Sequence, residues 1–544
     1  MKRFALLAAS VPALLVACSK APDTVATAPA PSSHPTAPPA SAPAAAHAAI
    51  DWVKPEGASL DAIFAKAKLD NKPVFLYWGA VWCPPCNQIK ATVFNRPDFV
   101  ERSKSFVPVY LDGDTPGAQK LGTQFKVRGY PTTILFKPDG TELTRLPGEV
   151  DAVQYMQILK MGMNATQPIK ESLVAALASP KDGSGTSVSS DTWRLLAYYA
   201  WDIDESQLLP KKDLAPTVEK LARSCPAAQE EASARLTLRA VTLAAGEKTS
   251  TLDKVQSLAQ VHKILADAPR TRENGDIFTN YPTEIVSVLT VAGSGERKTL
   301  LADMNLALDR LAQDQTLSKA DQLGAVQAKV ALALMDLPKG AKPNLAPELV
   351  AQAQAAATKA DTSITDKYER QSVIPSAAHL LSDVGQIDAS DAMMKAELPK
   401  SVSPYYHMLV LASNAKLRGD KEGTLDWAEK AYAGSLGPAT RLQWGSGYVQ
   451  KIIEMTPQDS ARIEKAATQV IGELDAAPET FYERNRRSLE KMGAQLTAWN
   501  AGGKHAPVLQ KLTAQLQGVC AKLPQEDSAR AACSGVFGKT PSKA

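Results

Sequence analysis

Aromatic residues and long runs of one charge are both scarce in this chain of 544 residues. Phe, Trp and Tyr together make up 6% of the residues while Ala is abundant, a balance that favours helices over a large β-sandwich. Basic residues nowhere form a block of five or more, and the formal net charge is only +4, so nucleic-acid binding has no compositional support. The chain exceeds the roughly 250–300 residues of a single hydrophobic core, which predicts at least two domains.

Cysteine and histidine are also rare, with six of each. Six cysteines in a chain of this length cannot form a disulfide-dense scaffold, so their positions are more informative than their number. A zinc site usually needs four ligands, and every histidine lies before residue 48 or after residue 261, away from the most closely spaced cysteines. No metal or other cofactor is therefore expected. The cysteines are Cys18, Cys83, Cys86, Cys225, Cys520 and Cys533.

Residues 1–17 have the pattern of a targeting signal. Lys2 and Arg3 precede an apolar stretch over 4–17, which is typical of a secretory signal and too short for a permanent membrane-spanning helix. The stretch ends in Leu15-Val16-Ala17-Cys18, which resembles a bacterial lipobox. By this resemblance, residues 1–17 are a lipoprotein signal peptide and Cys18 is the lipidated N-terminus. An ordinary signal peptide with an incidental cysteine is the alternative.

The segment after Cys18 is predicted to be a tether. Ser19 stands where an Asp would favour retention on the inner membrane, which implies the periplasmic face of the outer membrane. Residues 18–50 are dominated by Ala and Pro. Repeated Pro blocks helix formation, and this composition cannot form a core. We therefore expect residues 18–50 to connect the lipid to the folded part as extended chain.

The motif Trp82-Cys83-Pro84-Pro85-Cys86 follows a continuous apolar run over 74–78, which is typical of a buried central strand. A helix is predicted to begin within the motif, because Pro84 suits the first helical position. Unpaired amides and the helix dipole at that position favour a thiolate on Cys83. Cys86 follows one helical turn later. The motif therefore predicts a redox centre in which Cys83 is the nucleophile and Cys86 the resolving thiol; a purely structural disulfide is the alternative.

Residues 51–165 resemble the thioredoxin family. The resemblance rests on the apolar strand before the motif, on the motif itself, and on Arg128-Gly129-Tyr130-Pro131-Thr132, which a further strand follows at once. It implies an α/β thioredoxin fold and a cis Pro131 facing the dithiol. It also implies that Trp82 and Tyr130, with Pro84 and Pro85, belong to the site. Within the family, the segment looks most like the C-terminal periplasmic domain of the transmembrane thiol:disulfide interchange protein.

Two features depart from the family pattern. Tyr77 and Tyr110 stand where an acidic residue and a lysine often handle the proton of the resolving thiol. Glu149 and Asp112 are the alternative proton acceptors. The second departure is the pair of prolines inside the motif, which removes two backbone donors near the Cys83 sulfur.

Residues 191–544 are predicted to be all-helical, after a linker over 166–190 that is rich in Gly and Ser in its second half. Gly385 and Gly419 are separated by the 34-residue tetratricopeptide period, and Ala378 and Ala412 match at the same offset. This similarity predicts an α-solenoid of helical hairpins with a concave partner-binding face. A less regular helical domain is the alternative.

The three remaining cysteines lie in this helical part. Cys520 and Cys533 flank a break at Pro524, which predicts a structural disulfide in an oxidising compartment. A second redox pair is the alternative, although the CxxC spacing is absent. Cys225 has no evident partner and is predicted to be a buried free thiol. The aromatic residues of this part are expected in its core; they include Trp427, Trp444, Tyr405 and Tyr406.

Three functions remain open at this point. The first is a membrane-anchored extracytoplasmic thiol–disulfide oxidoreductase that reduces or relays to protein disulfides, with a membrane reductase as electron donor. The second is a lipid-anchored scaffold or client-binding helical-repeat protein with an auxiliary or sensory dithiol. The third is an oxidant or isomerase for folding proteins.

Overall fold

The computed structural model describes residues 49–55, 59–115, 117–127, 129–179, 188–202, 204, 207–247, 250–338 and 344–538. The predicted signal peptide over 1–17, the lipidation site Cys18, almost all of the tether over 18–50, and Arg128 lie outside these residues. Within the described ranges, no helix combines the length and the apolar character that crossing a membrane requires.

The first folded part is an α/β structure, as the resemblance to the thioredoxin family implied. Its helices and strands are α1 Leu60–Leu69, β1 Val74–Gly79, α2 Pro84–Ile89, a π-helical turn Lys90–Phe94, α3 Pro97–Ser103, β2 Val107–Asp112, α4 Ala118–Gln124, β3 Thr132–Phe136, β4 Glu142–Leu146 and α5 Ala152–Met163. The prediction of a thioredoxin-like fold is thus confirmed.

The four strands form one sheet in the order β2-β1-β3-β4. β1 pairs in parallel with β2 and antiparallel with β3, and β3 and β4 form an antiparallel hairpin. The β1 side chains are all buried, as a central strand covered on both faces requires. At the hairpin, Gly140 adopts a φ of 87°, a left-handed conformation that glycine tolerates without strain. β1 therefore delivers the dithiol motif from the centre of the sheet.

The second part contains helices and no strand among its described residues. Its helices are α6 Ile169–Ala178, α7 Ser190–Ala197, α8 Lys211–Ser224, α9 Glu230–Ala244, α10 Lys254–Ala266, α11 Ala268–Glu273, α12 Gly275–Asn280, α13 Pro282–Leu289, α14 Gly295–Gln313, α15 Lys319–Leu334, α16 Pro347–Ser363, α17 Lys367–Asp383, α18 Ile387–Glu397, α19 Pro404–Leu417, α20 Lys421–Gly434, α21 Pro438–Met455, α22 Ser460–Ala476, α23 Glu483–Trp499, α24 Ala506–Cys520 and α25 Ser528–Ser534, with short 3-10 turns at Pro478–Thr480 and Ala501–Gly503. The prediction of a large helical part after the α/β part is confirmed.

The linker predicted over 166–190 needs correction in its first half. Residues 169–178 form α6, whose Ile169, Leu173 and Ala176 are buried. These residues lie at intervals of three and four, so they share one helix face, and that face packs into the same core as α5 and α7. The Gly- and Ser-rich second half falls mostly on residues 180–187, outside the described ranges.

The α/β part and the helical part pack as one compact unit. A single apolar cluster contains Tyr155 and Leu159 of α5, Leu173 of α6, and Trp193 and Leu196 of α7. The helical part is therefore not a separate body joined only by a linker. Its later helices pack against the dithiol motif.

Candidate dithiol site

The dithiol motif lies between the end of β1 and the start of α2. Cys83 is the residue that caps the N-terminus of α2, with φ −69° and ψ 117°, and Pro84 and Pro85 begin the helix. Pro tolerates these positions because its missing N–H would have no intrahelical partner there. Cys83 and Cys86 are joined by a disulfide. The expected placement of the two sulfurs within bonding reach is therefore observed.

One backbone donor reaches the Cys83 sulfur in spite of the two prolines. The Cys86 N–H donates to Cys83 Sγ, with an N–S distance of 3.2 Å. The other backbone amides of the first turn, at Pro84 and Pro85, have no hydrogen to donate. A backbone N–H and the positive end of a helix both favour negative charge on a sulfur placed as Cys83 Sγ is.

Tyr130 and Pro131 lie beside the motif. The bond between them is cis, as the resemblance implied. The Tyr130 ring stacks on Trp78 with ring centroids 5.7 Å apart and meets the edge of Trp82 at 5.8 Å. Gln119 of α4 donates to the Tyr130 hydroxyl at 2.7 Å, which fixes the position of the ring. Tyr130 thus connects the sheet to the motif tryptophan.

Tyr77 and Tyr110 form a stacked pair with ring centroids 5.4 Å apart, and Tyr77 lies against Cys86. The Tyr77 hydroxyl donates to the Cys86 carbonyl oxygen at 3.4 Å. Burial raises the pKa of Tyr77 well above its ordinary value, and burial with the nearby Asp112 does the same to the pKa of Tyr110. Both phenols therefore keep their protons near neutral pH, and neither is available as a base for the Cys86 thiol.

The two carboxyl groups suggested as alternative acceptors lie at different places. Asp112 ends β2 next to Gly79, and its carboxylate accepts the Asp114 N–H at 3.0 Å. Glu149 precedes α5 and accepts a hydrogen bond from Asn280 at 2.9 Å, in a cavity of about 260 Å³ that α2 also lines. Desolvation by the surrounding protein, with the nearby acidic groups, raises the pKa of Glu149 to about 7, although Glu149 is exposed to solvent.

The helical part covers the motif, which the sequence did not predict. Trp82 is 5% exposed, Cys83 2% and Cys86 0%. The Trp82 ring stacks on Tyr406 of α19 at 5.9 Å and contacts Trp444 of α21 at 4.7 Å. Both aromatic residues were expected in the core of the helical part. The only sequence signal was their presence in a chain with few aromatic residues.

Polar contacts accompany this aromatic packing. Trp82 Nε1 donates to Thr440 Oγ1 of α21 at 2.9 Å, and the Thr440 hydroxyl also bonds to the Asp114 carboxylate. The Arg484 guanidinium of α23 lies 5.3 Å from the Trp82 ring and 5.4 Å from the Tyr130 ring. Burial raises the pKa of Asp114 to about 7, against the lowering effect of the Thr440 hydrogen bond.

The remaining cysteines fall as follows. Cys520 at the end of α24 and Cys533 in α25 form a second disulfide, and both are fully buried. Cys225 is a buried free thiol, and burial raises its pKa to about 12. In the described part of the chain, no group of three or more His, Cys, Asp and Glu side chains is arranged to hold a metal ion.

Comparisons with known proteins bear on the α/β part. A family model described as a thioredoxin-like domain matches residues 60–162. The thiol:disulfide interchange protein DsbD of Pseudomonas fluorescens is 34% identical over 116 residues, which are 21% of this chain and 20% of that protein. The thioredoxin of Mycobacterium tuberculosis is 36% identical over 89 residues, which are 16% of this chain and 72% of that protein. The chain thus spans about a fifth of the length of the interchange protein, and most of its own length lies outside both matches.

Proposed function

The chain belongs to the thioredoxin family through its α/β part, and from this we propose that it is a thiol–disulfide oxidoreductase acting on protein substrates. The observation that carries the proposal is the pair Cys83–Cys86 at the N-terminus of α2, bonded to each other, with the Cys86 N–H directed at the Cys83 sulfur. This geometry stabilises a thiolate on Cys83 and keeps the second thiol within one helical turn.

In the proposed exchange, the Cys83 thiolate attacks one sulfur of a substrate disulfide. An S–S bond forms between Cys83 and the substrate, and the other substrate sulfur leaves as a thiolate. The Cys86 thiolate then attacks the Cys83 sulfur, which forms the Cys83–Cys86 disulfide and releases the second substrate thiol. Two electrons pass from the dithiol to the substrate, so a separate donor must reduce the enzyme again. A membrane reductase is the donor we propose.

We further propose that the protein is exported and held by lipid on Cys18 at the periplasmic face of the outer membrane. The support is the sequence pattern: a basic start, an apolar stretch, the lipobox-like Leu15–Cys18 and an Ala- and Pro-rich segment. The test is the mass of the mature protein and its distribution between membrane and soluble fractions. Cys18→Ala should abolish the lipid and release the chain, and a wild-type protein without lipid would refute the anchor.

The helical part is proposed to be a solenoid of helical hairpins with a partner-binding face. Gly385 follows α17 and Gly419 follows α19, each with a φ near 80° and each just before the next helix. The 34-residue spacing therefore joins equivalent turns of two successive helix pairs.

A second candidate function is a scaffold or client-binding protein, and it is favoured by the burial of the dithiol under the helical part. In a scaffold or client-binding protein, a covered dithiol would serve as a sensor or an auxiliary group. The deciding measurements are the Cys83–Cys86 reduction potential, in glutathione buffers, and the capture of mixed-disulfide partners by Cys86→Ala, with Cys83→Ala/Cys86→Ala as control.

A potential towards the −270 mV end of the roughly −270 to −120 mV range supports a reductase or relay, and one near −120 mV supports an oxidant or isomerase. If the dithiol exchanges with neither protein disulfides nor small disulfides, the oxidoreductase proposal is refuted and the scaffold proposal remains. Partners that are captured by the full chain and lost without residues 191–544 would assign client selection to the helical part.

A further inference from the structure

We propose that α19, α21 and α23 form a movable cover over the dithiol, and that protein disulfides reach Cys83 only when this cover opens. By the cover we mean Tyr406, Thr440, Trp444 and Arg484, which together enclose Trp82. The inference rests on the proposed function, since it concerns access of a protein substrate to the nucleophile.

The need for opening follows from the exposure of the sulfur-bearing residues. Thiol–disulfide exchange requires a substrate sulfur to approach Cys83 Sγ directly, and access is one of the factors that set its rate. Cys83 is 2% exposed and Cys86 is fully buried, so a disulfide carried on another protein cannot make this approach in the structure as it stands. The covering residues come from the same chain, so the obstruction is built into the fold.

The contacts of the cover are of a kind that can be broken and remade. Thr440 bonds to Trp82 and to Asp114, and Arg484 contacts aromatic rings. The adjacent α17, which is not part of the cover, adds a hydrogen bond from Gln371 to the Trp82 carbonyl oxygen at 3.4 Å. Water can satisfy each of these polar groups once the surfaces separate, so opening leaves no buried group unpaired.

The attachment of the helical part at α6 and α7 is more deeply buried than the cover. The apolar cluster that contains Trp82 and Cys83 continues to α5, α6 and α7, where Leu173, Trp193 and Leu196 are 3%, 1% and 0% exposed, whereas Tyr406 and Trp444 of the cover are only half-buried. Separating that attachment would expose large apolar surfaces to water, which is unfavourable in proportion to the area exposed. We therefore place the fixed attachment at α5–α7 and the movable contact at the cover.

Gly437, just before α21, offers a way to open the cover without touching the dithiol. Its φ is 82°, and a Cβ at this position would lie 2.9 Å from Asp114 Cβ and 3.0 Å from the Asp114 carbonyl oxygen. Both neighbours are part of the β2–α4 loop on the α/β side. A methyl group at Gly437 would therefore push the start of α21 away from Asp114 and Trp82. Gly419 is a matched control, since its φ is 76° and nothing lies within 4 Å of a Cβ there.

The experiment compares thiol alkylation in the wild-type protein, Gly437→Ala and Gly419→Ala. Each protein is reduced, freed of reductant and treated with N-ethylmaleimide, and labelling is followed by mass spectrometry for Cys83 and Cys225 separately. Cys225 is a buried thiol of the helical part that lines a cavity of about 250 Å³ to which no residue of the cover contributes, so a change in its labelling rate reports a disturbance beyond the cover. We expect Gly437→Ala to speed labelling of Cys83 by about tenfold or more, as overpacking at an interface implies, while Cys225 is unchanged. Gly419→Ala should alter neither rate.

Two results would refute the proposed cover. One is labelling of Cys83 in the folded wild-type protein as fast as in urea. The other is acceleration of Cys83 in Gly437→Ala only together with Cys225. If Gly437→Ala does not fold, Trp444→Ala takes its place, with Trp427→Ala as control; both tryptophans are half-buried, and only Trp444 contacts Trp82. The same two criteria apply to this pair.

The proposed function is tested separately, by measuring how fast the same variants reduce a disulfide-bonded protein. Faster labelling with faster reduction supports both ideas. Faster labelling of Cys83 without any reduction of the disulfide-bonded protein would refute the oxidoreductase proposal but still support the proposed cover. If the variants label Cys83 no faster than the wild-type protein, while the wild-type protein reduces the disulfide-bonded protein well, the proposed cover is refuted and the oxidoreductase proposal is supported.

Discussion

Trp82 of the dithiol motif donates its indole N–H to Thr440, which lies 358 residues later in the chain, with an Nε1–Oγ1 distance of 2.9 Å. The same hydroxyl bonds to Asp114, so one small side chain connects the motif, the β2–α4 loop and α21. A threonine hydroxyl has one hydrogen to donate and two lone pairs, which is what this double role needs. The motif tryptophan is thereby satisfied by the helical part rather than by water.

Replacing Thr440 by Val should destabilise the protein. The Val has nearly the same shape but removes the hydroxyl that accepts the buried Trp82 N–H and bonds to Asp114, and loss of a buried hydrogen-bond partner costs about 1–3 kcal/mol. The measurement is the urea dependence of unfolding followed by tryptophan fluorescence. Thr456→Val is the control, because the Thr456 hydroxyl bonds only to the Ile452 carbonyl within its own helix region, at 3.3 Å. Equal losses in the two variants would contradict the role given to Thr440.

Replacing Asp114 by Asn should change the pH dependence of stability. The pKa of Asp114 is raised to about 7 in the folded protein, mainly by burial, so this carboxyl binds its proton more tightly there than in the unfolded chain. Its contribution to the free energy of unfolding therefore falls as the pH rises from about 4 to about 7, by at most about 1.4 kcal/mol per pH unit. The ionisable groups that act on Asp114, or on which it acts, include Asp112, Tyr110, Tyr130, Tyr405 and Arg484.

The check is the midpoint of urea unfolding at several pH values between 4 and 8. Asp114→Asn should lose less stability than the wild-type protein over the range from pH 4 to 7. Asp139→Asn is the control, because the hydrogen bonds from Thr141 lower the pKa of Asp139 and place its effect below pH 4. Parallel curves for the wild-type protein and Asp114→Asn would refute the assignment.

Replacing Tyr77 by Phe should leave the pH profile of disulfide exchange unchanged. Burial holds the pKa of Tyr77 well above its ordinary value, so the phenol does not titrate in the range in which exchange is measured. Its hydrogen bond to the Cys86 carbonyl is long, at 3.4 Å, and its loss should have only a small effect on stability. The measurement is the rate of exchange from pH 5 to 9, and a displaced profile would show that the phenol handles the proton after all.

Removing the second disulfide should lower stability without altering the dithiol. Cys520→Ala/Cys533→Ala opens a loop in which the two residues are 13 apart, which is worth roughly 3 kcal/mol in the loop-entropy account. Chemical unfolding of the oxidised proteins measures this loss, and Cys225→Ala is the control without a disulfide. The Cys83–Cys86 reduction potential should be the same in all three proteins. A changed potential would favour a redox connection between the two pairs.

The local features of the α/β part were predictable because local interactions determine them. The apolar run over 74–78 became a fully buried strand, and the prolines of the motif marked the start of α2. The linker prediction was wrong over 169–178 because it rested on the Gly and Ser residues of the second half of the segment, whereas the spacing of Ile169, Leu173 and Ala176 in the first half gives a helix with one buried face.

The sequence by itself determined the Cys83–Cys86 pair, the cap at Cys83 and the series of helices, since each depends on residues a few positions apart. Only the tertiary structure decided that Tyr406, Thr440, Trp444 and Arg484 enclose the motif. Periodicity identifies a buried helix face but not the surface against which it packs. That choice depends on contacts between residues more than 300 positions apart, summed over the whole fold. For this reason the dithiol could be recognised from its motif, while its burial could not.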